Sequence, residues 1–288
     1  MRIAKTILRT LSFVFSIVGL FVPHARATVE LKPATVTAFE HYIHATEDRM
    51  DEDVRKGRFL VLDGLPSGRK EDIYAKVRQG AIYIQPMHTT EDGRAIPIPG
   101  GLVHHWAGVM FIPGANAPRV LAVLQDYDNH QNIFKPDIRR SRLLGHTGDR
   151  FSIYVQFYKK SIVTVVINAN FDAQYTQLDS THVASRSYST RIAELQYPDT
   201  PGEHEFPVGN DHGYLWRLDN YWHLEEKDGG VYVQIEWVAL SRTVPAVFGW
   251  LVNPLIRSIP RGVITNLLAA TRNEATKVAP PPASPPTD

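Results

Sequence analysis

The chain of 288 residues carries 31 Lys+Arg against 30 Asp+Glu, a formal net charge of +1, and is 43% hydrophobic and 21% charged. That is the composition of a globular protein, not a disordered or fibrous one, and the balanced charge gives no general attraction to nucleic acid. Cysteine is absent, which excludes disulfides, a thiol nucleophile and iron–sulfur ligation and leaves stability to the core alone.

The first 27 residues read as a leader. Arg2, Lys5 and Arg9 precede an apolar run from Leu11 to Val22, and Pro23 and Ala25-Arg26-Ala27 close it. Basic start, short apolar stretch and A-x-A triplet are the order of a secretory signal, expected to be cleaved near Ala27 and to deliver the protein to the periplasm or the exterior. The alternative is retention of the segment as an N-terminal membrane anchor, although the run is shorter than the roughly 20 residues of a comfortable span.

Residues 28–100 form an N-terminal extension. Val36, Phe39, Ile43, Met50 and Val54 recur at helical spacing from Thr35 to Arg55. GRFLVLDGLPSG and AKVRQGAIYIQPM then read as two short strands around a Gly/Pro-rich turn, and TEDGRAIPIPGG as a loop. From Gly101, GLVHHWAGVMFIPG is a strand. Asn116 is placed to cap a helix that has Pro118 in its first turn and Val120, Leu121, Leu124 and Tyr127 on one face.

From Asp137 to Leu240 the pattern is almost wholly β. RFSIYVQFYKKSIVTVVINANF reads as a hairpin turning at Lys159-Lys160, and HVASRSYSTRIAEL as a further strand. YPDTPGEHEFPVGNDHG is a polar loop. NYWHLEEKDGGVYVQIEWVAL is a second hairpin. Pro245, Pro254 and Pro260 break the following stretch into turns, and a last helix carries Val263, Leu267, Ala270 and Glu274 on one face. The tail from 278 to 288 is too proline-rich to pack and is expected to be disordered.

This succession is α+β, not alternating βαβ. The segment DNYWHLEEKDGGVYVQIEWVALSRTVPAVFGWLVNPLIRSIPRGVITNLLAATR, with its Gly-Gly turn, its ALSR and its P-x-x-x-x-W-L-V-N-P link, resembles the C-terminal end of the START-like or Bet v 1-like helix-grip superfamily, in its polyketide-cyclase-type members. The resemblance covers about Gly101 to Ala275. It implies a domain over 101–277 in which a curved antiparallel sheet wraps a long C-terminal α-helix, and a cavity that takes a hydrophobic small molecule or lipid. It also implies transient membrane contact for loading, and neither metal nor cofactor.

Candidate cavity residues follow from strand alternation. With Gly229-Gly230 as the turn, Trp222 lies opposite Trp237, Leu224 opposite Ile235 and Asn220 opposite Ala239, all on one face. Asn220 is then a candidate partner for a buried indole N–H. The opposite face, with Arg217, Asp219, His223, Glu225, Gln234 and Glu236, reads as solvated.

In the first hairpin the Lys159-Lys160 turn sets Phe151, Val155 and their row against Thr164 and Asn168, continued by Asn170. Three polar residues on a core face would suit a ligand site, because an unpartnered buried amide costs about 1–3 kcal/mol. The other registration buries Val163, Val165, Ile167 and Phe171 instead. Arg186 and Tyr188 share a face, where an inward Arg186 would grip a carboxylate or phosphate headgroup; the plain alternative is an exposed arginine. Leu267 completes the set from the closing helix.

No catalytic residue stands out. His41 and His44 lack an H-E-x-x-H context, and His104 and His105 point to opposite faces of a strand, so no metal site is expected. Three functions remain open: a carrier or sequestering protein for an apolar molecule, a cyclase or dehydratase using the same cavity, and a structural or interaction domain with a filled interior.

Overall fold

The computed structural model describes residues 28–160, 164–243 and 246–277, with side chains from 259 onward in the last stretch. Residues 1–27, expected to be a leader, and the tail after 277 lie outside the described residues. Two helices, α1 (Pro33–Arg55) and α2 (Ser67–Arg78), lead into strands β2 (Tyr83–Pro86) and β5 (Gly101–Pro113). The short pairs β1 (Val29–Glu30) with β11 (Asn210–Asp211), and β3 (Thr90–Glu91) with β4 (Arg94–Ala95), lie outside the main sheet. Helices α3 (Ala117–Leu124) and α4 (His130–Ile133) follow. Five long strands come next: β6 (Ile138–Thr147), β7 (Arg150–Lys160), β8 (Thr164–Gln177), β9 (His182–Gln196) and, after the short β10 (His204–Glu205), β12 (Arg217–Lys227). Strand β13 (Gly230–Arg242) and helix α5 (Ala246–Ala275) close the chain.

The main sheet is antiparallel throughout, in the order β2-β5-β13-β12-β9-β8-β7-β6, with β10 on β9. One face packs against α3 and α5; here this is the inner face. Met110, Ile112, Leu224, Val233, Ile235, Ile264 and Leu268 are buried between them. Gly108 marks the closest approach, since a Cβ there would sit 2.5 Å from Cγ2 of Ile264 and 2.9 Å from Cδ1 of Leu268. Glycine at this point lets the helix lie on the strand. An open antiparallel sheet gripping a C-terminal helix, with helices at the start, is the α+β helix grip expected from the sequence.

Asn116 caps α3 as expected, its Oδ1 accepting Arg119 N–H at 3.1 Å, and Glu226 of β12 accepts the next orphan donor, Ala117 N–H, at 2.6 Å. The closing helix departs from expectation. Instead of turns broken at three prolines, α5 runs 30 residues through Pro254 and Pro260. Each proline forfeits one i→i−4 hydrogen bond without ending the helix.

Residues 28–100 also differ. The segment expected to be the first strand forms a single 3₁₀ turn at Val61–Gly64, and α2 occupies the stretch read as a turn region. Its apolar residues are few (Ile73, Tyr74 and Val77), which hides a helix whose buried stripe is narrow. Together α1, α2 and the 3₁₀ turn cover the back face of β5, β13 and β12, where Phe39, Tyr42, Met50, Tyr221 and Val238 form one cluster and Leu62, Val77, Val109, Phe111 and Tyr232 another. The polar face of the second hairpin is therefore not solvated. Asp219 is 6% exposed, Gln234 2% and Glu236 1%.

Candidate functional site

A cavity of ≈ 120 Å³ lies between the inner face and α5. Ile153, Val155 and Phe157 of β7 and Phe171, Ala173 and Tyr175 of β8 form one wall; Trp222, Ile235 and Trp237 form another, and Val263 and Leu267 of α5 the roof. Phe134, Asp137 and Ile138, from the connection between α4 and β6, line a further side.

The strand register sets a polar row across this apolar wall. Ser187 of β9 is the Cα partner of Asn220, Asn220 of Trp237, and Trp237 of Trp106. Ser185 lies beside Trp222 in the next row. Nε1 of Trp237 is buried and has no acceptor among the described residues, so Asn220 does not play the part expected of it. An unpartnered buried donor of this kind costs about 1–3 kcal/mol.

Three titratable groups border the cavity deep in the wall. The hydroxyls of Tyr127 and Tyr175 lie 2.9 Å apart. Burial raises both phenols, Tyr127 to about 12 and Tyr175 well above its ordinary value. His130 Nε2 donates to the Leu124 carbonyl at 3.1 Å, and burial pulls its pKa down to about 4, so the ring is neutral at physiological pH. At one side the Asp137 carboxylate accepts from Lys159 Nζ at 3.0 Å and from Asn266 Nδ2 at 2.9 Å, fastening α5 to the sheet edge.

Of the residues expected at the site, Trp222, Trp237 and Leu267 line the cavity. Asn168 and Asn170 do not, and the placement of Thr164, Asn168 and Asn170 on the inner face is corrected. In the observed register Lys160 pairs with Thr164, Phe157 with Ile167 and Phe151 with Ala173. The tip lies at 161–163, outside the described residues, and not at Lys159-Lys160. Phe151 had been set opposite Asn168, five positions from its true partner, and an odd slip turns every side chain to the other face. Asn168 instead accepts from Tyr154 Oη at 2.8 Å and donates to Glu205 at 2.8 Å on the back of the sheet. The other registration, with Ile167 and Phe171 buried, is the one found.

Arg186 and Tyr188 are corrected likewise. Both face α1, where Arg186 pairs with Asp51 and Glu47 and the Tyr188 hydroxyl donates to Glu47. Their strand neighbours Ser185 and Ser187 take the inner face. The Trp222 hairpin turns at Asp228-Gly229, both with positive φ (55° and 75°), rather than at Gly229-Gly230. Trp222 therefore faces Ile235 and Trp237 faces Asn220; this two-position slip is even, so the tryptophans keep the expected face.

The back face holds a second space of ≈ 230 Å³, where Arg49, Asp53, Arg58, His223 and Glu236 meet the apolar side chains of Phe59, Leu60 and Met87. Its charges are matched within the protein. Thr89 N–H donates to the Tyr42 hydroxyl at 2.9 Å, Tyr42 donates to His105 Nδ1 at 2.9 Å, and His105 Nε2–H donates to Glu236 at 2.6 Å. Arg49 of α1 then pairs with Glu236. Burial pushes the Glu236 carboxyl up, but the His105 hydrogen bond and the Arg49 charge outweigh it and hold the group below its usual value. Sequence alternation gave no hint of this network, because Arg49 and Glu236 lie 187 positions apart. Among the described residues no group of three or more His, Asp or Glu side chains is arranged to hold a metal ion, and no helix is long and apolar enough to cross a membrane.

No family model and no curated protein matches the chain. Among solved structures it is similar to the STAR-related lipid transfer protein (fragment 25–204) from Xanthomonas axonopodis, at 19% identity over 66% of this chain and 98% of that one, with a TM-score of 0.43. It is also similar to the Zhui aromatase/cyclase from Streptomyces sp. R1128, at 14% identity over 60% and 94% of the two chains, TM-score 0.39. A third is human STARD10, at 9% identity over 72% and 80%, TM-score 0.40. At these identities and scores the likenesses say nothing of activity.

Proposed function

We propose that the protein binds a compact apolar molecule in the cavity between sheet and α5, and carries or sequesters it outside the cytoplasm after removal of the leader. The observation that carries this reading is the space of ≈ 120 Å³ between the sheet and α5, walled by Phe157, Phe171, Trp222, Ile235, Trp237 and Leu267. Close-packed cores retain few voids larger than a water molecule, and an apolar cavity of about 150 Å³ takes up a benzene-sized ligand. The volume suits one or two rings or a short chain; a two-chain lipid requires α5 to move away from the sheet, which contact with a membrane would assist. Burying about 200 Å² of ligand surface contributes about 5 kcal/mol before the cost of association.

Binding is favoured over acid–base chemistry by the titratable wall groups. The Tyr127 and Tyr175 phenols are raised and His130 is lowered to about 4, so each moves away from the neutral range that proton transfer at physiological pH uses. The test is native mass spectrometry of protein purified from its own source, followed by organic extraction. A stoichiometric apolar molecule is the expected result. An empty mass, together with no thermal shift against a panel of small aromatic and terpenoid compounds, overturns the reading.

A further inference from the structure

We infer that the ligand is oxygenated, with a carbonyl or hydroxyl oxygen accepting a hydrogen bond from Trp237 Nε1, and that Trp237 is the residue that selects it. The inference rests on the cavity reading above and adds the chemistry of the ligand to it. Trp237 borders the cavity and its indole N–H is buried without an acceptor. The other buried tryptophan with a recorded partner shows the contrast: Trp216 Nε1 donates to Asp211 at 3.1 Å on the back of the sheet. A buried N–H without a partner, on a residue that borders a cavity, is a donor that an acceptor on a ligand would satisfy.

The surroundings decide what kind of acceptor fits. Asn220 stands beside Trp237 on the neighbouring strand and Ser187 beside Asn220, both lining the cavity. The row Ser187, Asn220, Trp237 therefore supplies neutral donors and acceptors along one line, opposite the apolar roof of Val263 and Leu267. The one carboxylate among the lining residues, Asp137, is already held by Lys159 and Asn266, and no lysine or arginine is among them. A carboxylate or phosphate would enter uncompensated by any cation, whereas a ketone, aldehyde or alcohol on an apolar ring meets the unpartnered indole donor with its single oxygen. Pure hydrocarbons fill the space but leave the indole unsatisfied.

The experiment compares two probes of nearly equal shape, indane and 1-indanone, by calorimetric titration on the wild type and on Trp237→Phe. The wild type is expected to favour 1-indanone, and Trp237→Phe to reduce that preference by about five- to tenfold while leaving indane binding nearly unchanged. Equal affinity of the wild type for both probes, or a preference that survives in Trp237→Phe, overturns the inference while indane binding still upholds the cavity. Failure of both probes to bind the wild type is a failure of the cavity reading itself. Should Trp237→Phe not fold, the indole ¹⁵N–¹H spectrum of the wild type decides. One indole resonance moving with 1-indanone and not with indane supports the assignment, and none moving differently sinks it.

Discussion

Replacing Asp219 by asparagine isolates the largest carboxylate perturbation on the back face. Asp219 is 6% exposed, its Oδ1 accepts Ser189 N–H at 3.3 Å, and burial raises its pKa from 3.8 to about 7, outweighing the downward pull of the Ser189 hydrogen bond with a lesser contribution from the nearby Glu47 charge. Between about pH 4 and 7 the folded chain thus holds a proton that the unfolded chain has released. Stability from this group is fully present below about pH 4 and is lost as pH rises to about 7, a decline of about 4 kcal/mol. Asparagine copies the neutral acid and keeps the acceptor for Ser189, so Asp219→Asn should match the wild type near pH 4 and exceed it by up to about 4 kcal/mol at pH 8. His130 and His223, both lowered to about 4 by burial, impose the opposite slope below pH 6.5. That contribution is common to both proteins and cancels in their difference. Urea unfolding at half-unit steps from pH 4.5 to 8 measures it. Parallel stability curves over that range would falsify the argument that Asp219 is protonated in the folded state.

Three further outcomes follow from the packing. Gly108→Ala places a methyl group 2.5 Å from Ile264 Cγ2 and should cost about 1–3 kcal/mol in chemical denaturation as α5 is displaced; an unchanged midpoint would show that the helix does not rest on β5 at this point. Ala173→Leu pushes three heavy atoms into the cavity that Ala173 lines, so indane affinity should fall at least about tenfold with stability within about 1 kcal/mol of the wild type. Loss of stability without loss of binding would place the probe elsewhere. Glu236→Ala strips Arg49 and His105 of a shared acceptor that is 1% exposed and should cost about 3–5 kcal/mol by equilibrium unfolding, while a change below 1 kcal/mol would mean that the pair breaks even with its desolvation.

The inner face was legible where parity protected it. In the Trp222 hairpin the turn was misplaced, but the resulting slip of two positions left Trp222, Trp237 and Asn220 on the right side of the sheet. In the β7–β8 hairpin the Lys159-Lys160 pair looked like a tip, and the true slip of five carried Thr164, Asn168 and Asn170 to the wrong face. β8 is apolar on both sides near its start, so hydrophobic pattern could not correct the register. The back face was misread for a different reason. A row of Asp219, His223, Gln234 and Glu236 alternates in the same way whether it meets water or a buried partner. The partners Arg49 and Glu47 sit on a helix 187 and 174 positions from the strand residues they meet. The long helix α5 was obscured because proline weighs heavily in local pattern, and tertiary contact with β5 overrides it.

The bond between Arg49 and Glu236 also governs when the protein can exist at all. Helix α1 leaves the ribosome early, yet the strands that receive it, β12 and β13, are made more than 160 residues later, and β5 waits more than 110 residues for β13. Contacts of such sequence separation form slowly and late. Until synthesis is nearly finished, the first half of the chain has nothing to close upon, so it stays open to chaperones or to a translocation pore. A chain of this kind assembles only after most of it has been made, because its outer helix and its central strands depend on partners from the last quarter of the sequence.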